Sequence, residues 1–394
     1  MREVVICAGA RTPMAEYCGT PGFGLLADLS AIELGTVSAK AALERAKCPP
    51  RRIDHVIYGN ALQTSSDAIY GARHVGLKAG VPIETPALTV NRLCGSGIEA
   101  IAQAMRLIQL READVVLAGG MESMSQAPFV VRGVRAGPRF GRPINFEDLL
   151  FESLKDPMCG LFMAQTAEAL ARKYSISRAE QDDFAWRSMQ LGLQATEAGT
   201  FRDEIVAVET KKTRVTRDDH VKPDSSREKL SKLPGAFGPE GTVTAANASG
   251  IVDGAASVIV AAADVAEKEG LPVLATIQSV ATVGVDPQYM GIGPAPAIRE
   301  VLKRTGRTLD SVDLFEINEA FAAQYLAVEK ELGLDREKVN VNGGAIAIGH
   351  PLGATGTRIT LTLALALKRR GGKFGIASAC IGGGQGIAIG VSVA

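Results

Sequence analysis

Short apolar segments alternate with longer segments of helical periodicity along most of the chain. The short segments are rich in β-branched residues and predict strands at Val4–Ile6, Val56–Tyr58, Val115–Ala118, Ile277–Val280, Leu314–Ile317 and Phe374–Ala377. The longer segments predict helices at Ala31–Arg45, Ser96–Leu110, Ala295–Lys303 and Gly356–Lys368. This alternation indicates a layered α/β fold.

The same pattern occurs twice. A predicted strand that runs into an asparagine-containing turn at Ile53–Ala61 is echoed at Val312–Ala320. A strand and loop that open a helix at Thr89–Gly97 are echoed at Asn340–Gly356. We therefore predict two homologous halves and not a solenoid of short repeats.

The helices after these two loops are unusual. Residues Gly97–Leu110 and Gly356–Leu367 carry alanine, threonine, isoleucine and leucine around most of the helix circumference. Such a composition suits helices buried between layers, whereas a surface helix has one polar face. We expect the N-termini of both helices to point into the interior.

Residues 122–248 differ from the rest of the chain in being rich in arginine, proline and methionine, with a charged stretch at Lys211–Lys232. They also contain predicted helices at Met163–Tyr174 and Arg178–Thr196, which favours an inserted domain over a linker. The predicted division is an N-terminal half of residues 1–121 and 249–270, an inserted domain of residues 122–248, and a C-terminal half of residues 271–394.

Composition adds limits on function. The 394 residues are 46% hydrophobic and 22% charged, which is typical of a globular protein of two or three domains. The 43 basic residues balance 43 acidic ones, so neither nucleic acid nor a membrane surface is an expected partner. A strand directly after Met1-Arg2 leaves no room for a signal peptide, and no apolar run is long enough to cross a membrane. We expect a cytoplasmic protein whose six cysteines, without C-x-x-C spacing, are free thiols.

Cys94 is the first candidate for chemistry. It lies directly before a predicted buried helix, where backbone N–H groups favour a thiolate and are expected to lower its pKa. Gly95 and Gly97 beside it remove side chains, so a bulky substrate can approach. The alternative is a small cysteine of the hydrophobic core.

The same stretch fits a second hypothesis. Gly95, Gly97 and Ala100 satisfy a permissive G-x-G-x-x-A dinucleotide motif between a strand and a helix, and Glu122 lies where an acid could bind a ribose. A dinucleotide-binding oxidoreductase is therefore an alternative. It leaves the glycine-rich segment near the C-terminus unexplained.

That segment, Asn342–Gly356, contains His350 followed by Pro351, which restricts the preceding backbone. An imidazole in this setting can accept a proton near neutral pH. A structural role is the expectation for the other three histidines: His55, His74 and His220.

A second cysteine, Cys380, opens the glycine-rich segment Cys380–Gly386 at the end of a predicted strand. Glycine can turn backbone N–H groups inward, where they receive a developing oxyanion. A plain tight turn between two strands is the alternative, but it does not explain a cysteine at this position.

Taken together, four segments resemble the signature blocks of the thiolase family, in the family's order: Asn91–Gly97, Asn318–Ala322, Asn340–Gly356 and Cys380–Gly386. The resemblance extends from Val4 to the C-terminus. It implies a five-layered α/β/α/β/α fold of two similar halves, with the inserted loop domain serving coenzyme A binding and tetramerisation.

The resemblance also implies roles for individual residues. Cys94 would be the acylated nucleophile and His350 its activating base, while Cys380 would exchange the proton at the α-carbon of the second acyl-CoA. Asn318 would hold a water that forms one oxyanion hole with His350, and the backbone N–H groups of Cys94 and Gly382 would form the other. A Claisen condensation needs two separately placed reactive groups and two oxyanion sites, so Cys380 separates a thiolase from a thioester hydrolase.

Contacts with coenzyme A follow from the same resemblance. They comprise Ser249 and Gly250 at the pantetheine, Met163, Ala320 and Phe321 at the acyl end, Phe237 beside the adenine, and Lys222 and Ser225 near the nucleotide phosphates. Related enzymes carry arginine where Lys222 stands, and lysine lacks the planar fork of arginine. Lys222 is equally well interpreted as a solvated charge.

The resulting hypothesis is an acetyl-CoA C-acyltransferase that works through an acyl-cysteine, in either direction, without a metal or a tightly bound cofactor. Acetyl-CoA acetyltransferase activity is slightly favoured, although Phe162–Glu168 and Gln324–Glu329 look closer to mitochondrial-type 3-ketoacyl-CoA thiolases. The expected partners are acyl-CoA and coenzyme A. A homotetramer is expected, with the Ser123–Arg142 excursion joining two dimers.

Two further alternatives stay open at this stage. A decarboxylating ketoacyl synthase of the same superfamily pairs one cysteine with two histidines, and Cys380 stands against it. A noncatalytic acyl-CoA-binding relative would not need the four intact residues Cys94, Asn318, His350 and Cys380.

Overall fold

A computed structural model describes residues 2–138, 140–141, 143–221, 223, 225–238 and 240–394. Its strands are β1 (Val4–Arg11), β2 (Ala15–Glu16), β3 (His55–Gly59), β4 (Ala87–Val90), β5 (Val115–Glu122), β6 (Phe129–Val130), β7 (Glu147–Asp148), β8 (Lys155–Asp156), β9 (Leu161–Phe162), β10 (Val208–Glu209), β11 (Arg214–Val215), β12 (Val252–Ala262), β13 (Ala275–Gly284), β14 (Leu314–Ile317), β15 (Phe374–Ile381) and β16 (Gln385–Ser392). Its α-helices are α1 (Ala31–Arg45), α2 (Gly71–Lys78), α3 (Ser96–Gln109), α4 (Leu149–Ser153), α5 (Met163–Lys173), α6 (Arg178–Glu197), α7 (Arg227–Ser231), α8 (Ala263–Glu269), α9 (Pro294–Thr305), α10 (Ala322–Leu332), α11 (Ala345–Ile348) and α12 (Leu352–Arg370).

The predicted strands and helices are confirmed with one exception, and α1 has the predicted bounds. The strand predicted at the start of Asn340–Gly356 is reduced to a single bridge at Val339, because the left-handed backbone of Asn340, with φ of 48°, ends the extended segment. A capping box fixes the start of α1, because Ser30 Oγ accepts a hydrogen bond from the Glu33 N–H and the Glu33 carboxylate accepts one from the Ser30 N–H. Among the described residues, no helix combines the length and the apolar content needed to cross a membrane.

The main sheet shows the predicted repeat directly. Its strands follow the order β14-β15-β16-β13-β1-β12-β5-β3-β4. In the first half β1 pairs antiparallel with β12, β12 antiparallel with β5, and β5 and β4 both pair parallel with β3. In the second half β13 pairs antiparallel with β16, β16 antiparallel with β15, and β15 parallel with β14. Val339 forms a parallel bridge with Phe315 of β14. The halves meet where β1 pairs with β13.

Three hydrophobic clusters show how the layers stack. Helices α3 and α12 share one core with strands of both halves, for example through Ile101 and Leu363. Helices α1 and α2 pack on the first half through residues such as Leu34. Helices α9 and α10 pack on the second half through residues such as Ile298 and Leu326, joined by α5 and α6. The expected five-layered α/β/α/β/α fold is confirmed.

The two central helices cross at a pair of glycines. A Cβ atom on Gly97 would lie 2.3 Å from the backbone nitrogen of Thr357, and one on Gly356 would lie 2.3 Å from that of Ile98. The expectation of all-round burial holds for most of α12, but in α3 only the first two turns are enclosed. Arg106, further along α3, reaches the surface because that end of the helix leaves the central layer.

Between β5 and β12 the chain makes a long excursion. Small hairpins formed by β6 with β7, β8 with β9 and β10 with β11 alternate in it with helices α4 to α7. Helices α5 and α6 bury apolar residues against α10, so the excursion is a folded part of the molecule.

The helix crossing gives a test of the fold. Because alanine at position 97 would place its Cβ against the backbone of Thr357, Gly97→Ala is expected to destabilise the protein by about 1–3 kcal/mol. The destabilisation is expected even though alanine stabilises a helix by about 1 kcal/mol relative to glycine. The melting temperature measures the effect. Gly284→Ala, which meets no atom within 4 Å, is the control, and equal melting temperatures of the two variants would contradict the packing described.

Candidate active site

The loop between β4 and α3 presents Cys94 on a single 3-10 turn, Leu93–Gly95. Leu93 has a left-handed backbone with φ of 46°, which is unusual for a branched side chain. Its N–H donates to Asn91 Oδ1 at 2.9 Å, and the Ser96 hydroxyl donates to its carbonyl at 2.7 Å. These bonds hold the turn so that the Cys94 side chain remains partly accessible.

A glycine turn from the other half of the molecule meets this thiol. The backbone N–H groups of Gly382 and of Cys94 itself lie near the Cys94 sulfur and act to lower its pKa. Ile381 packs against the loop so closely that a Cβ on Gly95 would lie 2.6 Å from the Ile381 side chain. The structure therefore brings together the two N–H groups for which the family resemblance implies an oxyanion hole.

Cys380 is fully buried on β15, beside the same sulfur. Burial raises the pKa of the Cys380 thiol well above its usual range, and the neighbouring Cys94 adds to this shift. Burial also raises the pKa of Cys94 to about 11, although the two backbone N–H groups lower it in part. The expectation that the helix start lowers the pKa of Cys94 is wrong in net direction, because desolvation outweighs the local N–H groups.

His350 lies in the loop before α12, and its own hydrogen bonds define its tautomer. Its Nδ1 is 2.5 Å from Thr355 Oγ1, and the Thr355 hydroxyl donates to the Pro351 carbonyl at 3.1 Å. Nδ1 is therefore assigned the proton, and Nε2 accepts from Asn318 Nδ2 at 3.3 Å. Burial, together with the positive charge of Arg358, lowers the pKa of His350 to about 3. At neutral pH the imidazole is uncharged, with its lone pair at Nε2.

The expected acyl-end residues gather around Cys380. Met163 and Phe321 pack against a small cluster of Ala320 and Cys380, to which the structure adds Met290. Met290 was missed because its 3-10 turn, Pro287–Ile292, has no chemical signature in the sequence.

The Ser249–Gly250 loop borders this group. The Ser249 N–H donates to the Ala320 carbonyl at 3.0 Å, and the His350 N–H donates to the Gly250 carbonyl at 2.9 Å. The expected pantetheine residues therefore lie beside both the acyl end and the imidazole.

The residues expected at the nucleotide end are more scattered. Ser225 lines a cavity of about 290 Å³ whose walls include Lys229, Leu230 and Ala246. Phe237 lies outside that lining, 41% exposed, with its ring 5.7 Å from the ring of Phe162. Lys222 lies outside the described residues.

His220 lies beside the Ser249–Gly250 loop, a position that the sequence did not indicate. Its Nδ1 is 2.6 Å from Glu16 Oε2, and a Cβ on Gly250 would lie 2.6 Å from its ring. It also lines the cavity beside Ser225. No local signal could have identified this pair, because 204 residues separate Glu16 from His220.

The structure overturns the dinucleotide-binding alternative. Glu122 is fully buried, and its carboxylate accepts hydrogen bonds from the Asn60 amide and from the backbone N–H groups of Ala61, Leu62 and Gly353. Gly97 packs against α12. Neither the acid nor the glycine is available to a ribose or a pyrophosphate.

The raised pKa of Cys94 leads to a measurable pH dependence. Since only the thiolate is alkylated, the rate of iodoacetamide labelling at Cys94 should rise about tenfold per pH unit from pH 7 to at least pH 10. Peptide mass spectrometry distinguishes Cys94 from the exposed Cys18, which serves as an internal reference. A labelling rate that levels off near pH 7 would show that the resting residue is a thiolate.

Comparison with known proteins agrees with this geometry. Residues 4–264 match the family described as "Thiolase, N-terminal domain", and residues 271–393 match "Thiolase, C-terminal domain". Human mitochondrial 3-ketoacyl-CoA thiolase is 53% identical over 393 residues, covering 99% of this chain and 98% of the relative. The acetyl-CoA acetyltransferase of Cupriavidus necator is 46% identical over 396 residues, covering 99% of each.

Solved structures give the same result. The crystal structure of human mitochondrial 3-ketoacyl-CoA thiolase in complex with CoA superimposes with a TM-score of 0.97 at 53% identity, covering 100% of this chain and 98% of that one. The Bacillus anthracis acetyl-CoA acetyltransferase superimposes with a TM-score of 0.95 at 44% identity, covering 100% and 99%. The paired thiols, the neutral imidazole and the full-length matches lead to one conclusion: the chain belongs to the thiolase family of acyltransferases.

Proposed function

We propose that the protein is an acetyl-CoA C-acyltransferase that cleaves or forms the carbon–carbon bond of a 3-ketoacyl-CoA through an acyl group on Cys94. The observation that carries this proposal is the pairing of the Cys94 and Cys380 thiols, together with the hydrogen bond between His350 and Asn318. One cysteine suffices for a thioester hydrolase or a ketoacyl synthase. A second buried thiol is needed only where a proton moves at an α-carbon.

In the cleavage direction, the Cys94 thiol gives its proton to His350 Nε2 while its sulfur attacks the 3-keto carbon. The developing oxyanion is received by the N–H groups of Cys94 and Gly382. The carbon–carbon bond then breaks, and its electron pair passes to the enolate of acetyl-CoA. Protonated His350, with Asn318, stabilises the enolate oxygen, and the Cys380 thiol protonates the carbon. Acetyl-CoA leaves, and the rest of the acyl chain stays on Cys94.

The second half-reaction restores the resting site. The thiol of coenzyme A gives its proton to the Cys380 thiolate and attacks the acyl group on Cys94. Cys94 leaves as a thiolate and regains its proton from His350. In the resting structure His350 Nε2 is occupied by Asn318, so the direct transfer between Cys94 and His350 forms when substrate binds.

The raised pKa of Cys380 suits the acid role in cleavage, because the thiol keeps its proton at neutral pH until an enolate forms.

We propose 3-ketoacyl-CoA esters as substrates, with acetoacetyl-CoA the shortest. Support comes from the 53% identity with a 3-ketoacyl-CoA thiolase and from the flexible thioethers of Met163 and Met290 at the acyl end. A coupled assay of CoA-dependent cleavage across chain lengths, from acetoacetyl-CoA upward, measures activity and preference together.

For coenzyme A, we propose that the inserted domain, residues 122–248, contributes the nucleotide end of the site, including Ser225, Phe237 and Lys222. The solved complex of the human relative with CoA supports coenzyme A as a ligand of this chain. The cytoplasm is the proposed location, since the six free cysteines suit a reducing compartment.

For assembly, we propose a dimer of dimers. β4 ends the main sheet with an unpaired edge, and exposed apolar side chains accompany it: Ile69, Tyr70, Ile83 and Leu88. An exposed apolar edge strand is a ready surface for a second copy of the same chain. Exposed Phe129, Ile144 and Phe146 on and around the β6–β7 hairpin supply a second surface, which we assign to the contact between dimers.

The two-thiol mechanism separates the cysteines experimentally. Cys380→Ser should still take an acetyl group from acetyl-CoA onto Cys94 but lose turnover by about 100- to 10,000-fold, because a positioned acid–base group is missing. Cys94→Ser should lose both steps. Adduct mapping and steady-state assays measure the two steps, with Cys159→Ser as the control. Near-normal turnover by Cys380→Ser would exclude the mechanism.

The assembly proposal is tested with charges placed on each surface. Leu88→Lys should yield monomers and Phe146→Asp should yield dimers in light scattering at micromolar concentration, because a buried unpaired charge opposes association. Val273→Lys, which changes an exposed apolar residue away from both surfaces, should leave the tetramer intact. A wild-type monomer contradicts the proposal outright.

A further inference from the structure

Arg92, two residues before Cys94, joins the two halves of the active site. Its Nε donates to Glu99 Oε2 at 2.9 Å, within the first half of the molecule. Its Nη1 donates to Gln385 Oε1 at 2.8 Å, in the second half. The side chain of Arg92 is 31% exposed and that of Glu99 is 5% exposed. The guanidinium of Arg92 is therefore bonded to a buried carboxylate while it remains in contact with solvent.

Gln385 is the first residue of β16 and lies directly opposite Ile381 in the β15–β16 ladder. Between them the chain consists of three glycines, Gly382 to Gly384, and the last two have φ of 82°. Such a turn has no side chains of its own to fix it. The Val285 N–H donates to the Gly384 carbonyl at 2.8 Å and holds the far end of the turn. The position of Gly382, at the near end, depends also on the residues that flank the turn.

Both flanking residues are attached to the loop that carries the nucleophile. Ile381 packs against Gly95, where there is no room for a Cβ, and the Gln385 amide accepts the hydrogen bond from Arg92. The turn between these attachments carries Gly382, where a Cβ would lie 3.4 Å from the side chain of Leu93, next to Cys94. The Gly382 N–H acts to lower the pKa of the Cys94 thiol. One attachment lies on each side of that donor.

We propose that Arg92 is a positioning residue whose hydrogen bond to Gln385 holds the Gly382 N–H in place for the acyl oxyanion at Cys94. The inference rests on the proposed role of Cys94 as the acyl carrier. Arg92 touches no reacting atom. It acts by fixing the distance between two loops that come from different halves of the fold.

The chemistry of the side chain fits this task. A guanidinium donates along two fixed directions from one plane, so a single Arg92 can bond Glu99 and Gln385 at once. Glu99 is itself oriented, because Oε1 accepts from Gln103 Nε2 at 2.6 Å and from Arg106 Nη1 at 2.8 Å. A lysine at position 92 has one nitrogen and cannot reproduce both bonds with the same geometry.

Arg106 provides a matched control. Arg92 and Arg106 each donate to the Glu99 carboxylate, but only Arg92 reaches Gln385. Arg92→Met and Arg106→Met therefore remove the same kind of ion pair from the same acid. Gln385→Leu removes the acceptor, whereas Gln385→Glu keeps an acceptor oxygen.

The experiment measures the first-turnover rate at which acetyl-CoA releases coenzyme A and acetylates Cys94, together with the KM for coenzyme A. Arg92→Met and Gln385→Leu should each slow acetylation about 10- to 100-fold, because a displaced oxyanion donor loses most of its effect. The KM for coenzyme A should stay within about twofold. Arg106→Met and Gln385→Glu should acetylate within about threefold of wild type. The double variant that combines Arg92→Met with Gln385→Leu should acetylate no more slowly than Arg92→Met alone.

Three outcomes overturn the inference. They are an unchanged acetylation rate in Arg92→Met, an equal loss in Arg106→Met, and independent, multiplicative losses in the double variant. If Arg92→Met does not fold, as shown by its melting curve, Gln385→Leu and Gln385→Glu decide the question by themselves. A wild-type protein that carries no acetyl group on Cys94 contradicts the proposed function instead, so the two failures are distinguishable.

Discussion

The close approach of α3 and α12 is the contact on which the rest of the structure depends. Each helix begins directly after a reactive loop, with Cys94 before α3 and His350 before α12. Gly97 and Gly356 let the two backbones meet with no side chain between them. A wider crossing would separate the two loops, so the packing of the central layer sets the dimensions of the site.

Burial then determines the chemical character of the site. The thiols of Cys94 and Cys380 and the imidazole of His350 are all shifted toward their neutral forms, because a low-dielectric interior disfavours charge. The protein therefore does not store a reactive thiolate. It aims N–H groups at positions where negative charge develops, and these groups are most effective where water is excluded.

Much of the fold could be predicted because it rests on local patterns. The strands, the repeat and the four signature segments are readable in sequence, whereas β12 was missed because its alanines and glycine give no strand alternation. α10 was missed for a related reason, since Ala322–Val328 is buried throughout and has no polar face. Local sequence patterns could not predict interactions between residues that are far apart in the chain. The direction of the Cys94 pKa shift depends on burial by the whole fold, and the Arg92–Gln385 bond joins residues almost 300 positions apart.

The repeat places β5 and β15 in equivalent positions of the two halves. The connections that follow these two strands are therefore equivalent as well. After β15 the chain turns through three glycines into β16, and that turn carries the Gly382 donor. After β5 the chain makes the excursion over residues 123–251 before it returns as β12. One half thus has a connection of three glycines, while the other has a long folded excursion at the same point. Under the proposed function, insertions and substitutions in that excursion would change which thioester is admitted without moving the atoms that react.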